Sequence, residues 1–200
     1  MRARGMDAVV MEVSSHALDQ GRVAGIEFDT AVFTNLTQDH LDYHKTMENY
    51  ARAKARLFDL VSEQGAKSGK TAVLNADDGA SATMRAHTRC PIISYGVEQS
   101  ADLAARDVHL AQDGMELTLV HEGAPLGHLH IGITGLFNVS NVLAATGAAL
   151  AEKILWRRSV CSRAYRGVSS SCVRGRTSPS LWTMRTPRTA WRMSCARRVP

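Results

Sequence analysis

Along the first 154 residues, short runs of hydrophobic residues alternate with segments in which hydrophobic residues have helical spacing. Short runs of the kind that form buried strands occur at 9–13 (VVMEV), 30–36 (TAVFTNL), 71–78 (TAVLNADD, ending in a polar turn) and 91–96 (PIISYG). Helical spacing separates them, most clearly after Thr46, which we predict to be the N-cap of a helix running to about Val61 with Glu48 in its first turn. The alternation predicts an α/β domain.

Further elements follow from the same patterns. A helix is predicted from His16 to about Gly21, and a short one over SATMRAH between the third and fourth runs. Strict alternation after Asp107 predicts an antiparallel hairpin with turns at Asp113-Gly114 and near Gly123. GLFNVSN then opens an alanine-rich last helix, with Asn138 as its expected cap. The predicted fold is a three-layer, Rossmann-like α/β domain with a hairpin insertion.

Polar side chains interrupt or follow the first two runs. Glu12 lies inside VVMEV, where an unpaired charge is costly, and a polar cluster follows TAVFTNL at Asp39, His40, Asp42 and His44. Strand ends at one sheet edge are where open α/β sheets build sites. The alternatives are a Glu12 that reaches solvent and a His40 that pairs with Asp39 or Asp42. The i, i+4 spacing of His40 and His44 also suits zinc, but no HExxH or cysteine partner accompanies it.

A lysine lies on the apolar face of the helix that follows Thr46. Lys54 shares that face with Tyr50, Leu57 and Val61. Either its stem covers apolar surface while its ammonium reaches water, or the side chain is held inward for chemistry.

Charge divides the chain into two unlike parts. Residues 1–154 contain all 19 acidic residues and 13 basic ones, whereas residues 155–200 contain eleven arginines and no lysine, aspartate or glutamate. One cysteine, Cys90, lies in the first part, which favours a reduced cytoplasmic protein over a disulfide scaffold. No apolar run is long enough to span a bilayer, and we expect no membrane partner.

Several motifs together resemble a known family. EVSSHAL, the pair Gln20 and Arg22, FTNLTQDHLDYH and YARAKARLF occur in the order found in the central domain of the Mur ligases. The branch that adds the third amino acid of the peptidoglycan precursor fits best, and folylpolyglutamate-type relatives fit less well. The resemblance implies a cytoplasmic, monomeric, ATP- and Mg²⁺-dependent amide ligase. Its substrates are a UDP-N-acetylmuramoyl dipeptide and an amino acid, either meso-diaminopimelate or L-lysine.

The resemblance also implies roles for individual residues. Glu12 and His40 match metal-binding positions, and Lys54 matches a catalytic lysine that is carried as a carbamate and also faces the metal. A carbamate converts a cation into an anion, which suits a metal site. Substrate contacts are implied for Ser14, Gln20 and Arg22, and adenine contacts for Asn138 and Asn141. The alternative is that Ser14, Gln20 and Arg22 lie at a solvated helix end and that Asn138 is only a helix cap.

Other family parts do not occur in these 200 residues. There is no Gly-Thr-x-Gly-Lys-Thr phosphate loop, and no match to the UDP-binding or amino-acid-selecting domains. We therefore expect an incomplete central domain over 1–154 that is inactive on its own. A non-catalytic module that binds the UDP precursor is the alternative.

The basic tail has a frameshift interpretation. Back-translation of residues 167–190, read from the last base of each codon, gives GRFELVRAGQDFTVVVDYAHTPDG, which contains the family motifs GRFE and DYAHTP. The single codon of Trp182 forces the aspartate of DYAHTP. We therefore predict that 155–200 is out of frame and disordered. The alternative is an arginine-rich nucleic-acid binder, a partner that we do not expect.

Overall fold

The computed structural model describes residues 8–37, 41–63, 65 and 67–154 of the chain. A short segment, residues 8–14, is separate from a compact unit that begins at Ser15. In chain order the unit contains α1 (Ser15–Asp19), β1 (Thr30–Phe33), α2 (Leu41–His44), α3 (Met47–Ser62), β2 (Thr71–Asn75), α4 (Ser81–Ala86), β3 (Ile92–Gly96), β4 (Leu103–Leu110), β5 (Met115–His121), β6 (Ala124–Ile131) and α5 (Leu136–Ala151). None of the helices in these ranges has the length and apolar character needed to cross a bilayer.

The strands of the compact unit form one mixed sheet in chain order, from β1 to β6. β1 to β4 pair in parallel, and β4 to β6 pair antiparallel. The register places Val32 beside Val73 and Val73 beside Ile93, so these three side chains share one face of the sheet.

Helices cover both faces of the parallel strands, and β2 contributes to both hydrophobic cores. All five residues of β2 are buried. Ala72 and Leu74 pack in the core formed with α3 and α4, whereas Val73 packs in the core formed with α5. A strand buried on both faces has a continuous apolar run, and Ala72, Val73 and Leu74 form such a run at the centre of β2. The predicted three-layer α/β class is confirmed.

Helix α3 begins where the sequence predicts. Thr46 has an extended backbone (φ −137°, ψ 153°), and its Oγ1 accepts the Asn49 N–H at 3.1 Å. Glu48, in the first turn, pairs with Arg52 at 3.1 Å on the exposed face. The predicted cap is confirmed.

The antiparallel part of the sheet also follows the prediction. Glu122 and Gly123 connect β5 to β6 and have φ values of 50° and 81°. Two positive values characterise the type I′ turn, whose twist matches that of the flanking strands. Between β4 and β5, Ala111 N–H donates to the Gly114 carbonyl at 2.8 Å, which closes the turn predicted at Asp113-Gly114.

The expected cap of the last helix is wrong. Gly135 is the N-cap of α5, and Asn138 lies within the first turn, where its Nδ2 donates to the Thr134 carbonyl at 2.8 Å. Gly135 has φ 110°, a conformation that L side chains rarely adopt. This glycine lets the chain turn into the helix three residues earlier than the asparagine indicates.

The strand expected at 9–13 is also wrong. Residues 8–14 have irregular backbone, and Val9, Val10 and Met11 are 56%, 43% and 45% exposed. An apolar run indicates that its side chains favour burial, but a strand forms only where its N–H and C=O groups pair with those of a neighbouring strand. The apolar run VVMEV alone was therefore not enough to predict a strand.

Candidate functional site

The end of β2 and the turn after it fix the loop that follows β1. Asn75 Nδ2 donates to the Thr34 carbonyl at 2.7 Å, and Asp78 Oδ2 accepts the Leu36 N–H at 2.7 Å. The carboxyl ends of parallel strands meet at one edge of the sheet, where open α/β sheets bind ligands. Polar side chains at this edge therefore hold its loops in place.

The neighbouring carboxylate, Asp77, holds the loop after β3. It accepts the backbone N–H groups of Val97, Glu98 and Gln99 at 2.6, 3.1 and 2.7 Å. A β-carbon on Gly96 would lie 3.0 Å from both Asp77 Oδ1 and the Gln99 carbonyl, a tight contact, so glycine favours the close approach of this loop.

Lys54 extends from α3 to the same edge. Its Nζ donates to the Asn35 carbonyl at 3.1 Å and lies 5.2 Å from the ring centroid of Tyr50. The side chain is half-buried. The lysine on the apolar face thus runs along the protein surface and places its ammonium on a backbone carbonyl just beyond β1.

The turn that carries Gln20 and Arg22 is a helix C-cap of the Schellman type. Gly21 N–H donates to the Leu18 carbonyl at 3.2 Å, and Arg22 N–H donates to the Ala17 carbonyl at 2.9 Å. Gly21 has φ 65°, the left-handed conformation that this motif requires. The glycine therefore fixes the chain reversal, and the side chains on either side of it, Gln20 and Arg22, are exposed.

Two other helices hold the end of α1. Arg56 Nη1, on α3, lies 3.0 Å from both the carbonyl and the carboxylate of Asp19. Tyr43 donates its hydroxyl to the other oxygen of that carboxylate at 2.8 Å. A guanidinium at a helix C-terminus also satisfies carbonyls that lack partners within the helix. The Gln20–Arg22 turn is thereby attached to α3, the helix that carries Lys54.

Sequence reasoning missed a group of rings beneath this turn. His16 and Tyr43 have centroids 4.1 Å apart, and His44 stacks on Tyr50 at 5.2 Å. His44 is buried, with its Nε2 2.8 Å from Ser15 Oγ. The sequence suggested a metal-type role for the cluster that includes His44, but this histidine connects α2 to α1. These rings have no regular spacing in the sequence, so no periodic pattern signals the group.

Asn138 and Asn141 lie together in the first turns of α5. Asn141 Nδ2 donates to Asn138 Oδ1 at 3.4 Å, and Asn138 is buried. Next to them Leu136 and Phe137 are 62% and 68% exposed. The first turns of α5 therefore place the buried Asn138 and the half-buried Asn141 next to two exposed apolar side chains.

The structure describes only some of the expected metal ligands. His40 lies outside the described residues, and Glu12 and Ser14 belong to the separate segment 8–14, where both are exposed. The described ranges contain no cluster of three His, Cys, Asp or Glu side chains suited to a metal ion. Lys54 as an ammonium does not fit Mg²⁺, because like charges repel, and only its conversion to an anion would reverse this.

Comparison with known proteins gives a consistent result. Residues 1–149 match the family described as the Mur ligase middle domain. The UDP-N-acetylmuramoyl-L-alanyl-D-glutamate--2,6-diaminopimelate ligase of Bacillus velezensis is 47% identical over 154 residues, covering 76% of this chain and 31% of the relative. The enzyme of the same name from Geobacillus thermodenitrificans is 49% identical over 151 residues, covering 74% and 30%. The chain thus spans about a third of the length of these relatives.

Solved structures show the same likeness. A structure of a UDP-N-acetylmuramoyl-L-alanyl-D-glutamate--2,6-diaminopimelate ligase has a TM-score of 0.62 at 34% identity, covering 72% of this chain and 29% of the other. MurF from Acinetobacter baumannii has a TM-score of 0.56 at 21% identity, covering 63% and 26%. The second comparison bears on the fold alone.

Proposed function

The chain belongs to the Mur ligase family, and we propose that it supplies the middle domain of an ATP-dependent amide ligase of peptidoglycan precursor synthesis. The relatives' names support UDP-N-acetylmuramoyl-L-alanyl-D-glutamate and 2,6-diaminopimelate as its substrates. In the proposed reaction, a carboxylate oxygen of the dipeptide attacks the γ-phosphorus of ATP and ADP leaves. The amine then attacks the acyl phosphate, an amide bond forms and phosphate leaves.

The arrangement of the Gln20–Arg22 turn carries this proposal. The hydrogen bonds of a Schellman motif close the turn, and Arg56 connects the helix before it to the helix that bears Lys54. Arg22 is exposed, and its guanidinium suits a phosphate or carboxylate, both of which the UDP precursor carries. We propose that Ser14, Gln20 and Arg22 contact the UDP precursor.

We propose that other residues bind the nucleotide and its cation. Asn138 and Asn141 are proposed to contact adenine, since an amide both donates and accepts at a purine edge. Glu12, His40 and a carbamylated Lys54 are proposed to hold Mg²⁺, which when bound offsets the charge of the phosphates. Cys90 is a free cysteine, which is compatible with a cytoplasmic location.

Calorimetric titration with the UDP-dipeptide tests the precursor assignment. We expect Arg22→Ala to weaken binding about tenfold, the loss that goes with one charge-assisted hydrogen bond. Arg52→Ala is the matched control, because Arg52 is also exposed and pairs only locally with Glu48 among the contacts described for it. Equal affinities of the Arg22 variant and the parent chain would exclude the proposed role of Arg22.

Catalysis by the isolated chain is a separate question. We expect no phosphate release from ATP, Mg²⁺, the UDP-dipeptide and diaminopimelate, because these 200 residues contain no Gly-Thr-x-Gly-Lys-Thr loop. Binding without release would fit a domain that retains its precursor surface, which is also what the non-catalytic binding module predicts. Release above a protein-free blank would show that the expectation is wrong.

A further inference from the structure

Four consecutive residues at the end of β1, 33–36, each have a backbone group held by a distant side chain. We call these residues the β1 exit. Tyr95 donates its hydroxyl to the Phe33 carbonyl at 3.0 Å, Asn75 donates to Thr34 O at 2.7 Å, Lys54 donates to Asn35 O at 3.1 Å, and Asp78 accepts from Leu36 N at 2.7 Å. Three of these partners come from β2, the turn after it and β3, and only Lys54 comes from a helix.

The arrangement fixes the carbonyl that receives Lys54 from both sides. The Asn35 carbonyl and the Leu36 N–H belong to one planar peptide group, so the direction of the carbonyl depends on what holds this group and the peptide group before it. Asp78 accepts the Leu36 N–H of this peptide group, and Asn75 donates to the Thr34 carbonyl of the preceding one. We propose that Asn75 and Asp78 are positioning residues that aim the Asn35 carbonyl at Lys54.

The anchors are suited to stay in place. Asn75 is buried, and its Oδ1 accepts the Asp77 N–H at 3.0 Å, so both ends of its amide are used. Asp78 accepts the Ala80 N–H at 2.8 Å through its second oxygen. Burial raises the pKa of Tyr95, so its hydroxyl stays protonated and remains a donor to Phe33.

The consequence for chemistry rests on the proposed function, in which Lys54 becomes a carbamate. The neutral amine attacks the carbon of CO₂, an N–C bond forms, one C=O π bond becomes the carboxylate, and the nitrogen releases one proton to water. The product keeps a single N–H in the plane of the carbamate. Donation of that N–H to the Asn35 carbonyl would fix the direction of the new carboxylate, as the ammonium is fixed in the structure.

Asp77 provides a matched control. It adjoins Asp78 in the same turn and also accepts backbone N–H groups, but those groups belong to the loop after β3. A general loss of stability would therefore affect both variants, whereas a loss of Lys54 positioning would affect only one.

The test measures the mobility of the Lys54 side chain by NMR relaxation in the full chain, in CO₂-free buffer. We expect Asp78→Ala to lower the order of the Lys54 Nζ and Cε groups, and Asp77→Ala to leave it unchanged. Asp78→Asn should restore much of the order, because an amide oxygen still accepts the Leu36 N–H. Unchanged order in Asp78→Ala, or equal losses in both alanine variants, would overturn the proposal.

A second readout concerns the carbamate itself. With ¹³C-bicarbonate added, we expect the carbamate signal of Asp78→Ala to fall about fivefold relative to the parent chain, the factor that corresponds to one ordinary hydrogen bond. If Asp78→Ala does not fold, Asn75→Asp carries the test, since it replaces the donor to Thr34 with an acceptor, and unchanged Lys54 order would then overturn the proposal. Absence of any carbamate in the parent chain would count against the proposed function alone, because Lys54 order is measured without CO₂.

Discussion

His44 Nε2 lies 2.8 Å from Ser15 Oγ, and both side chains are buried. The contact joins the SSHAL motif to the DHLDYH motif across 29 residues of sequence. It connects α1, whose end carries the Gln20–Arg22 turn, to α2, whose Tyr43 also binds α1 through Asp19.

We expect His44→Ala to lower the free energy of unfolding by about 1–3 kcal/mol, because a buried hydroxyl loses this partner. Urea denaturation of the full chain measures the change. His109→Ala, in an exposed position on β4, is the control and should stay within about 0.5 kcal/mol of the parent chain. Similar losses in the two variants would contradict the importance of the His44–Ser15 contact.

A second prediction concerns the glycine within the Gln20–Arg22 turn. A β-carbon on Gly21 meets nothing within 4 Å, but the backbone has φ 65°. Gly21→Ala should therefore destabilise the chain by about 1–2 kcal/mol through backbone strain alone. Gly79 is also surrounded by open space and has no such φ, so Gly79→Ala should be close to neutral in the same denaturation experiment. A neutral Gly21→Ala would show that the turn tolerates a different backbone conformation.

A third prediction concerns the packing of α5 on the sheet. A β-carbon on Gly147 would lie 2.6 Å from Val73 Cγ1. We expect Gly147→Ala to cost about 1–3 kcal/mol by overpacking, although alanine favours a helix interior by about 1 kcal/mol.

The double variant Val73→Ala with Gly147→Ala identifies the cause. If the clash is responsible, the double variant loses less stability than the two single variants together, and the cycle gives a favourable coupling. Additive losses would instead assign the cost of Gly147→Ala to another contact.

A fourth prediction concerns pH and the link between β3 and β4. Burial tends to raise the pKa of Asp102, but the Ser94 hydroxyl and N–H, at 2.6 and 2.8 Å, hold that pKa below its usual range. A carboxyl with a lower pKa in the folded state contributes stability above its unfolded pKa and loses it as the pH falls through its folded pKa. Asp102→Asn should therefore be less stable than the parent chain at pH 7, and the difference should shrink below about pH 4.

Denaturation midpoints at pH 7 and pH 3 test this dependence. Asp113→Asn, in the exposed turn between β4 and β5, is the matched control. A stability difference for Asp102→Asn that stays constant between the two pH values would contradict the role of the carboxylate charge.

The sequence predicted the elements that depend on interactions between residues close together in the chain. The hydroxyl of Thr46 can reach the first N–H groups of α3 wherever that helix packs, and Gly123 permits positive φ in any hairpin. The centre of β2, from Ala72 to Leu74, is a continuous apolar run of the kind that a strand covered on both faces buries. For these reasons α3, β2 and the antiparallel strands agree with prediction.

Predictions failed where a distant partner decides the outcome. VVMEV has the side chains of a buried strand, but strand formation depends on a ladder that its sequence does not encode. Likewise, nothing near His44 in the sequence indicates its contact with Ser15. Among the site residues, the sequence indicated the exposed pair Gln20 and Arg22 and the unusual Lys54. It did not indicate that Asn75 and Asp78 act on the loop after β1.

The position of β2 between the two cores has a consequence for cooperativity. Opening either core exposes one face of β2, and loss of the strand itself removes the central partner of both helical layers. The compact unit should therefore lack two halves that open independently, and it should behave as one foldon around this strand. The amide protons of Val73 and Leu74 are then expected to exchange with solvent only when the entire unit unfolds, which makes them reporters of its global stability.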